Sequence, residues 1–263
     1  MAAPRGIAGR KRGLAIGPVA RLRIAIAIAL LLAWQAVAAS GIFFRGVLPT
    51  LDQIAAALAR LLVDPDLYRN LGVSGCEIAA ALAVGATAGI AVGLPLGAHR
   101  LLGRAFEPYL HYLGPTPKII FFPILIMWFG VDLGSKIAMG ALSGFFPMAL
   151  STAVGVRQID PVLVRVGKSF RAGTAQMVTR IYLPAIRPSL LTGLRLALGV
   201  SVIGVLLAET KLSNRGLGYL VMQRYASFDI AGLYALVLVV LSLAVAANAA
   251  LGRLERPPPS SHR

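Results

Sequence analysis

Apolar runs long enough to cross a bilayer recur along this chain, with short polar stretches between them. They fall at 24–40, 73–97, 108–130, 137–156, 189–209 and 230–251. A membrane helix needs about 20 predominantly apolar residues. The pattern therefore predicts an all-α, polytopic membrane helical bundle of about six transmembrane helices. The connecting pieces differ in kind. Residues 51–63 are too polar and too short to span, and are expected as a surface helix stopped by Asp64-Pro65-Asp66. Residues 99–107 read as a short polar loop and 132–136 as a tight turn. Residues 210–229 read as a polar segment containing Gly216-Leu217-Gly218. The first run has two readings: a signal peptide with Ala36-Val37-Ala38 as a small-residue cleavage site, or an uncleaved first span. The further spans that follow favour the second.

Features inside the spans sharpen the picture. Gly85, Gly89, Gly93 and Gly97 recur every fourth residue and share a helix face, which lets a neighbouring helix approach closely. Pro115, Pro117 and Pro123 interrupt the third span, which is tolerable in a membrane only where neighbours satisfy the freed backbone groups. That span is expected to line the interior. Gly140, Gly144 and Pro147 are expected to loosen the fourth. Ionisable residues in spans are functional candidates by default. Glu77 reads either as a functional carboxylate or as an interfacial one. Glu209 is a pathway candidate or a terminator of the fifth helix. Arg195 either snorkels to the interface or helps draw an anionic substrate through the pore.

Composition agrees with a membrane protein: 57% of residues are hydrophobic and 14% charged, against about 25% charged in soluble domains. The net charge of +16 could point to nucleic acid. Its cations, however, sit at the ends of apolar runs and form no face with aromatic partners, so no nucleic-acid partner is expected. A single cysteine, Cys76, excludes an internal disulfide and any multi-cysteine metal site. No metal or cofactor is expected. Lys and Arg concentrate in a basic arm (1–23), in segments around 100–104 and 157–187, and in a proline-rich tail (252–263) expected to be disordered. This asymmetry predicts both termini and the 157–188 loop in the cytoplasm.

Residues 165–188, RVGKSFRAGTAQMVTRIYLPAIRP, form a basic insert of about two dozen residues, longer than an ordinary helix connection. Val166, Phe170, Met177, Ile181 and Leu183 recur at helical steps, Gly173 and Thr174 break the run, and Pro184 and Pro188 end it. Two short helices around a turn, cationic on one side and apolar on the other, make a docking surface.

These residues carry a resemblance. The chain resembles the permease subunit of binding-protein-dependent ABC importers, of the nitrate/sulfonate/taurine type, which implies a type I importer permease (MetI-like) architecture. That family's loop has Glu-Ala-Ala, then a glycine, then Ile-x-Leu-Pro. Ile181-Tyr182-Leu183-Pro184 matches its end, while Arg165, Val166 and Gly167 occupy the Glu-Ala-Ala positions and Arg171 the glycine position. Arginine disfavours the positive φ that glycine permits, so Gly173 is the alternative source of the turn. Leu48-Pro49, Gly93-Leu94-Pro95-Leu96-Gly97, Trp128-Phe129-Gly130, Phe145-Phe146-Pro147, Leu191-Thr192-Gly193-Leu194-Arg195, Ala208-Glu209 and Gly216-Leu217-Gly218 are similar in order and spacing.

The resemblance implies a homodimer in the inner membrane, two copies of a cytoplasmic ABC ATPase docked on residues 165–188, and a periplasmic solute-binding protein. Val166, Phe170 and Met177 would enter a cleft, with Arg165, Lys168, Arg171 and Arg180 at its rim. Substrate classes from sulfonates and taurine to nitrate and pyrimidines stay open. A membrane-embedded enzyme would need convergent catalytic groups, and His99, His111 and His262 form no recognisable set. No Gly-x4-Gly-Lys-Ser/Thr loop occurs, so ATP hydrolysis is expected in a separate chain. A self-sufficient secondary transporter or channel is the remaining rival.

Overall fold

The computed structural model describes residues 17–42 and 47–254. Most of the basic arm (1–16), Arg45 and the tail from 255 onward lie outside the described residues. The elements are helical: α1 (Pro18–Ala39), α2 (Leu51–Leu62), α3 (Pro65–Ala98), α4 (Arg100–Leu113), a 3₁₀ turn (Lys118–Phe121), α5 (Phe122–Phe129) and α6 (Leu133–Arg157). Then come α7 (Pro161–Ser169), α8 (Thr174–Met177), a π-helical turn (Val178–Tyr182), α9 (Leu183–Ala185), α10 (Arg187–Lys211), α11 (Leu217–Ala226) and α12 (Ile230–Leu254). Five helices, α1, α3, α6, α10 and α12, are long and apolar enough to cross a membrane. The pair formed by α4 with the 3₁₀–α5 segment makes a sixth span if its two arms act as one.

The chain divides into two compact units, Met1–Ala55 and Ala56–Arg263. In the first, no residue of α1 is fully buried. Polar groups late in α1 hold the chain that follows: Trp34 Nε1 donates to Pro49 O at 3.1 Å, and Gln35 Oε1 accepts from Leu51 N at 2.9 Å.

The second unit is organised around α6, the most buried of the spans, with α3 along one side and α10 along another. α3 starts where Asp64 accepts from Asp66 N and Pro65 fills the first helical position, the arrangement that favours helix entry. It therefore begins eight residues earlier than the apolar run and is 34 residues long, about 51 Å at 1.5 Å per residue. The extra turns pack on a cluster of Ala57, Leu61, Leu67, Leu217, Leu220, Ala235 and Leu236, which joins the α2–α3 junction to α11 and α12.

One sequence expectation fails here. Residues 99–107 are not a loop but the body of α4, because Gly103 and Leu110, two turns apart, face inward. Glu107 pairs with Arg157 at the end of α6. The third span is interrupted at its prolines. Pro115 and Pro117 remove backbone donors, and the arms bend by 93°. Lys118 repairs the break: its ammonium donates to Gly114 O and lies 5.1 Å from the centroid of the Phe146 ring.

Candidate functional site

Two polar regions stand out, at opposite ends of α3. The first is buried. Lys136, expected in an exposed turn, lies in the first turn of α6 with its side chain fully enclosed. Its ammonium sits 3.3 Å from Glu77 Oε1, and both side chains are almost completely shielded. Glu77 is therefore paired within the fold. Among the described residues its second oxygen, Oε2, has no hydrogen-bond partner.

Glu209 belongs to the same end. It lies in the last turn of α10, which ends at Lys211, and is 1% exposed. Its Oε1 accepts from Ser74 Oγ at 2.5 Å and its Oε2 from Gly218 N at 2.6 Å. Ser74 Oγ accepts in turn from Leu217 N at 2.8 Å, and Asn70 Oδ1 accepts from Gly216 N at 2.6 Å. The first N–H groups of a helix have no partner within it. Here α11 has its entry capped by α3 and α10 instead of by its own residues. Gly216 makes this possible. Its φ is +106°, and a β-carbon there would collide with the Glu209 carboxylate. The sequence marked Glu209 and the Gly216-Leu217-Gly218 run separately; Asn70 and Ser74, lying in an ordinary-looking helix, gave no signal.

Outside the spans at this end, Arg224 bridges two helix starts, with Asp229 Oδ2 at 2.8 Å and Asp64 Oδ2 at 3.7 Å. Partial burial pushes the Asp229 carboxyl up. The Gly232 N–H, the Arg224 hydrogen bond and charge, and the more distant Arg60 charge outweigh it, so the group is held below its ordinary value.

Between the two ends runs the glycine face. A β-carbon on Gly85 would lie 2.6 Å from Ala141 O, one on Gly89 2.7 Å from Met148 Cβ, and one on Gly97 2.6 Å from Ala153 O. Gly93 meets Ala149 O and Thr152 in the same way. Backbone contact of this kind is what holds α3 on α6. Gly140 and Gly144 do not loosen α6. They meet Ala81 and Ser201, and Gly193 and Gly204 on α10 meet Ser151 and Ser143. Arg195 projects from exposed α10, where its Nε donates to Asn248 Oδ1 at 2.7 Å, tying α10 to α12.

The second polar region is the 158–186 segment. Asp160 accepts from Val162 N and Pro161 opens α7. α7 ends at Ser169, and the chain turns at Arg171, which takes the left-handed conformation itself (φ +50°). Gly173, the expected alternative, has an ordinary φ of −67°. Phe170 N donates to Val166 O and Ala172 N to Gly167 O, closing the turn. The side chains then divide. Met177 does not face outward but packs on Gly167 beside Ile181, so these three close the α7–α8 angle from within. Leu183 and Tyr182 pack on Val156, Ile159 and Ile186, fastening the segment to the ends of α6 and α10. Left outside are Val166 (48% exposed), Phe170 (83%), Arg165, Lys168, Arg171, Arg180 and Pro184. Among the described residues none of those four cations forms an ion pair. No acidic residue occurs anywhere between Asp160 and Glu209.

Comparison with known proteins is consistent along most of the chain. A family model described as "Binding-protein-dependent transport system inner membrane component" matches residues 85–257. A Bacillus subtilis (strain 168) permease named for aliphatic sulfonates transport, SsuC, is 32% identical over 190 residues, 72% of this chain and 69% of its own. The taurine transport system permease protein TauC of Escherichia coli (strain K12) is 31% identical over 207 residues, 77% of this chain and 75% of its own. The formylaminopyrimidine transport permease protein ThiX of Halalkalibacterium halodurans is 30% identical over 188 residues, 72% and 75%.

Proposed function

Because the chain belongs to the family of binding-protein-dependent transport system inner membrane components, we propose that it carries a small anionic solute of the sulfonate class across the cytoplasmic membrane. It is a multi-pass membrane protein and the permease subunit of an ABC importer. Members of the family act with an ATPase and a solute-binding protein. In our reading the working unit is a homodimer with both termini in the cytoplasm, served by two ATPase copies, and ATP is hydrolysed only in those partner chains. The sulfonate class is taken from the names of SsuC and TauC.

The observation that carries this reading is the outward face of the 158–186 segment. Phe170 and Val166 stand exposed among cations that form no ion pair with any described residue. An apolar centre with a charged rim is the make-up of a protein–protein contact. The ATPase would take Phe170 and Val166 into a cleft, with carboxylates at its rim facing Arg165, Arg171 and Arg180. Because Ile186 and Val156 lock the segment to α10 and α6, its displacement on ATP binding would move both helices as bodies. α10 is about 38 Å long and carries Glu209 at its far end, so the motion would reach the α11 entry without any intervening hinge. Glu209 and Arg195 act here as structural links in that train and not as substrate ligands.

The test is co-purification of the tagged full chain in mild detergent, wild type against a Val166→Asp, Phe170→Asp double variant. The reading requires an ATPase chain with the wild type and its loss in the variant. A folded wild-type chain recovered alone supports a self-sufficient transporter instead.

A further inference from the structure

A groove of about 570 Å³ lies between the last turns of α3 and the α7–α9 segment. Its two walls differ. Leu94 and Pro95, from the end of a membrane-spanning helix, form an apolar wall. From the loop come Lys168, Thr174 and Tyr182, interspersed with the apolar Met177 and Val178, and His99 stands just past the end of α3. No Asp or Glu lines it. The volume falls within the range of about 300–1,000 Å³ usual for ligand sites.

We propose that this groove holds one anionic phospholipid, with its phosphate against Lys168, Tyr182 and His99 and the head of an acyl chain along Leu94 and Pro95. The apolar wall is the end of a span, so it lies where acyl chains meet headgroups, while the cation stands just beyond. Basic pockets at the cytoplasmic membrane surface attract anionic headgroups through this combination of charge and depth. A free phosphate would leave Leu94, Pro95, Met177 and Val178 uncovered. The exposed guanidinium groups of Arg165 and Arg171 nearby add to the positive field. A lipid there would wedge the loop against α3. The consequence for docking, which rests on the reading of the loop given above, is that ATPase recovery depends on anionic lipid.

The experiment uses the full chain in mild detergent with equal amounts of phosphatidylglycerol and phosphatidylcholine, and counts retained lipids by native mass spectrometry. Wild type should retain phosphatidylglycerol preferentially. Lys168→Gln should lower that retention about fivefold, the worth of one interfacial charge. Lys168→Arg should keep it, and Leu94→Trp should lower retention of the lipid while leaving the charge in place. Equal retention by wild type and Lys168→Gln overturns the proposal. So does displacement by excess inorganic phosphate, which marks a free-anion site, or loss of the lipid when ATPase joins, which marks a protein segment as the occupant. Recovery of ATPase by the wild type in the same preparation separates this outcome from the docking reading: lipid selection with no ATPase overturns only the latter.

Discussion

The Glu77–Lys136–Glu209 region and the 158–186 loop are both rich in polar side chains, yet they are built in opposite ways. In the first, three charged groups are enclosed, and the Glu209 carboxylate and the Lys136 ammonium meet partners from another helix. In the second, four exposed cations form no ion pair among the described residues. Burying charge is costly unless it is paired, so the first region is committed to one internal arrangement. The exposed cations have no such commitment and are available to another chain. A charged residue in a membrane protein thus divides by its partners: satisfied within the fold, it fixes helices; unsatisfied at a surface, it marks a contact.

Mutations should widen or erase this contrast. The largest effect is expected from Lys136→Met. It leaves Glu77 buried and uncompensated, costing about 3–5 kcal/mol in thermal unfolding of the detergent-solubilised chain. The Glu77→Leu, Lys136→Met pair should recover most of that loss, since well-packed apolar replacements of both partners are often neutral. Gly93→Leu should cost about 1–3 kcal/mol by forcing α3 off α6, while Gly173→Ala, with no atom near its added carbon, should be silent. Glu209→Gln removes one acceptor from the α11 entry and should cost about 1–3 kcal/mol, read as earlier hydrogen exchange at residues 216–220. Arg171→Gly should act oppositely in the two assays. It stabilises the chain by about 1 kcal/mol by relieving the left-handed turn and makes ATPase association less salt-dependent.

The smallest effect is the pH response of Asp229. Its carboxyl is held below the ordinary 3.8, so its stabilising contribution is complete above that value. The contribution is lost as pH falls through the lower folded-state value. Asp229→Asn should flatten the acid limb of the stability profile by slightly lowering stability at neutral pH, where the carboxylate contributes fully, and leaving the most acidic end nearly unchanged.

Much of this was legible in the sequence where one helix decides the matter alone. Span lengths, the four-residue glycine spacing and the basic loop are local patterns. What was not legible depends on a second helix. Lys136 looked like a turn residue because its partner Glu77 is 59 positions away. Asn70 and Ser74 drew no reading from the sequence, because their partners lie on α11, more than 140 positions away. Gly140 and Gly144 looked like helix looseners because α10 was not yet beside them. In the loop, helical spacing grouped Met177 with Phe170, although the turn at Arg171 sends one inward and the other out. Arg171 shows that a residue ill-suited to positive φ can still hold it when Gly167 O and Lys168 O anchor the turn on either side.

The most direct test is labelling of a Phe170→Cys chain in which the exposed Cys76 is replaced by serine, using a membrane-impermeant thiol reagent. The account predicts modification in inside-out vesicles but not in intact cells, and protection when the ATPase is present. Modification from outside, or a rate unchanged by the ATPase, would contradict it.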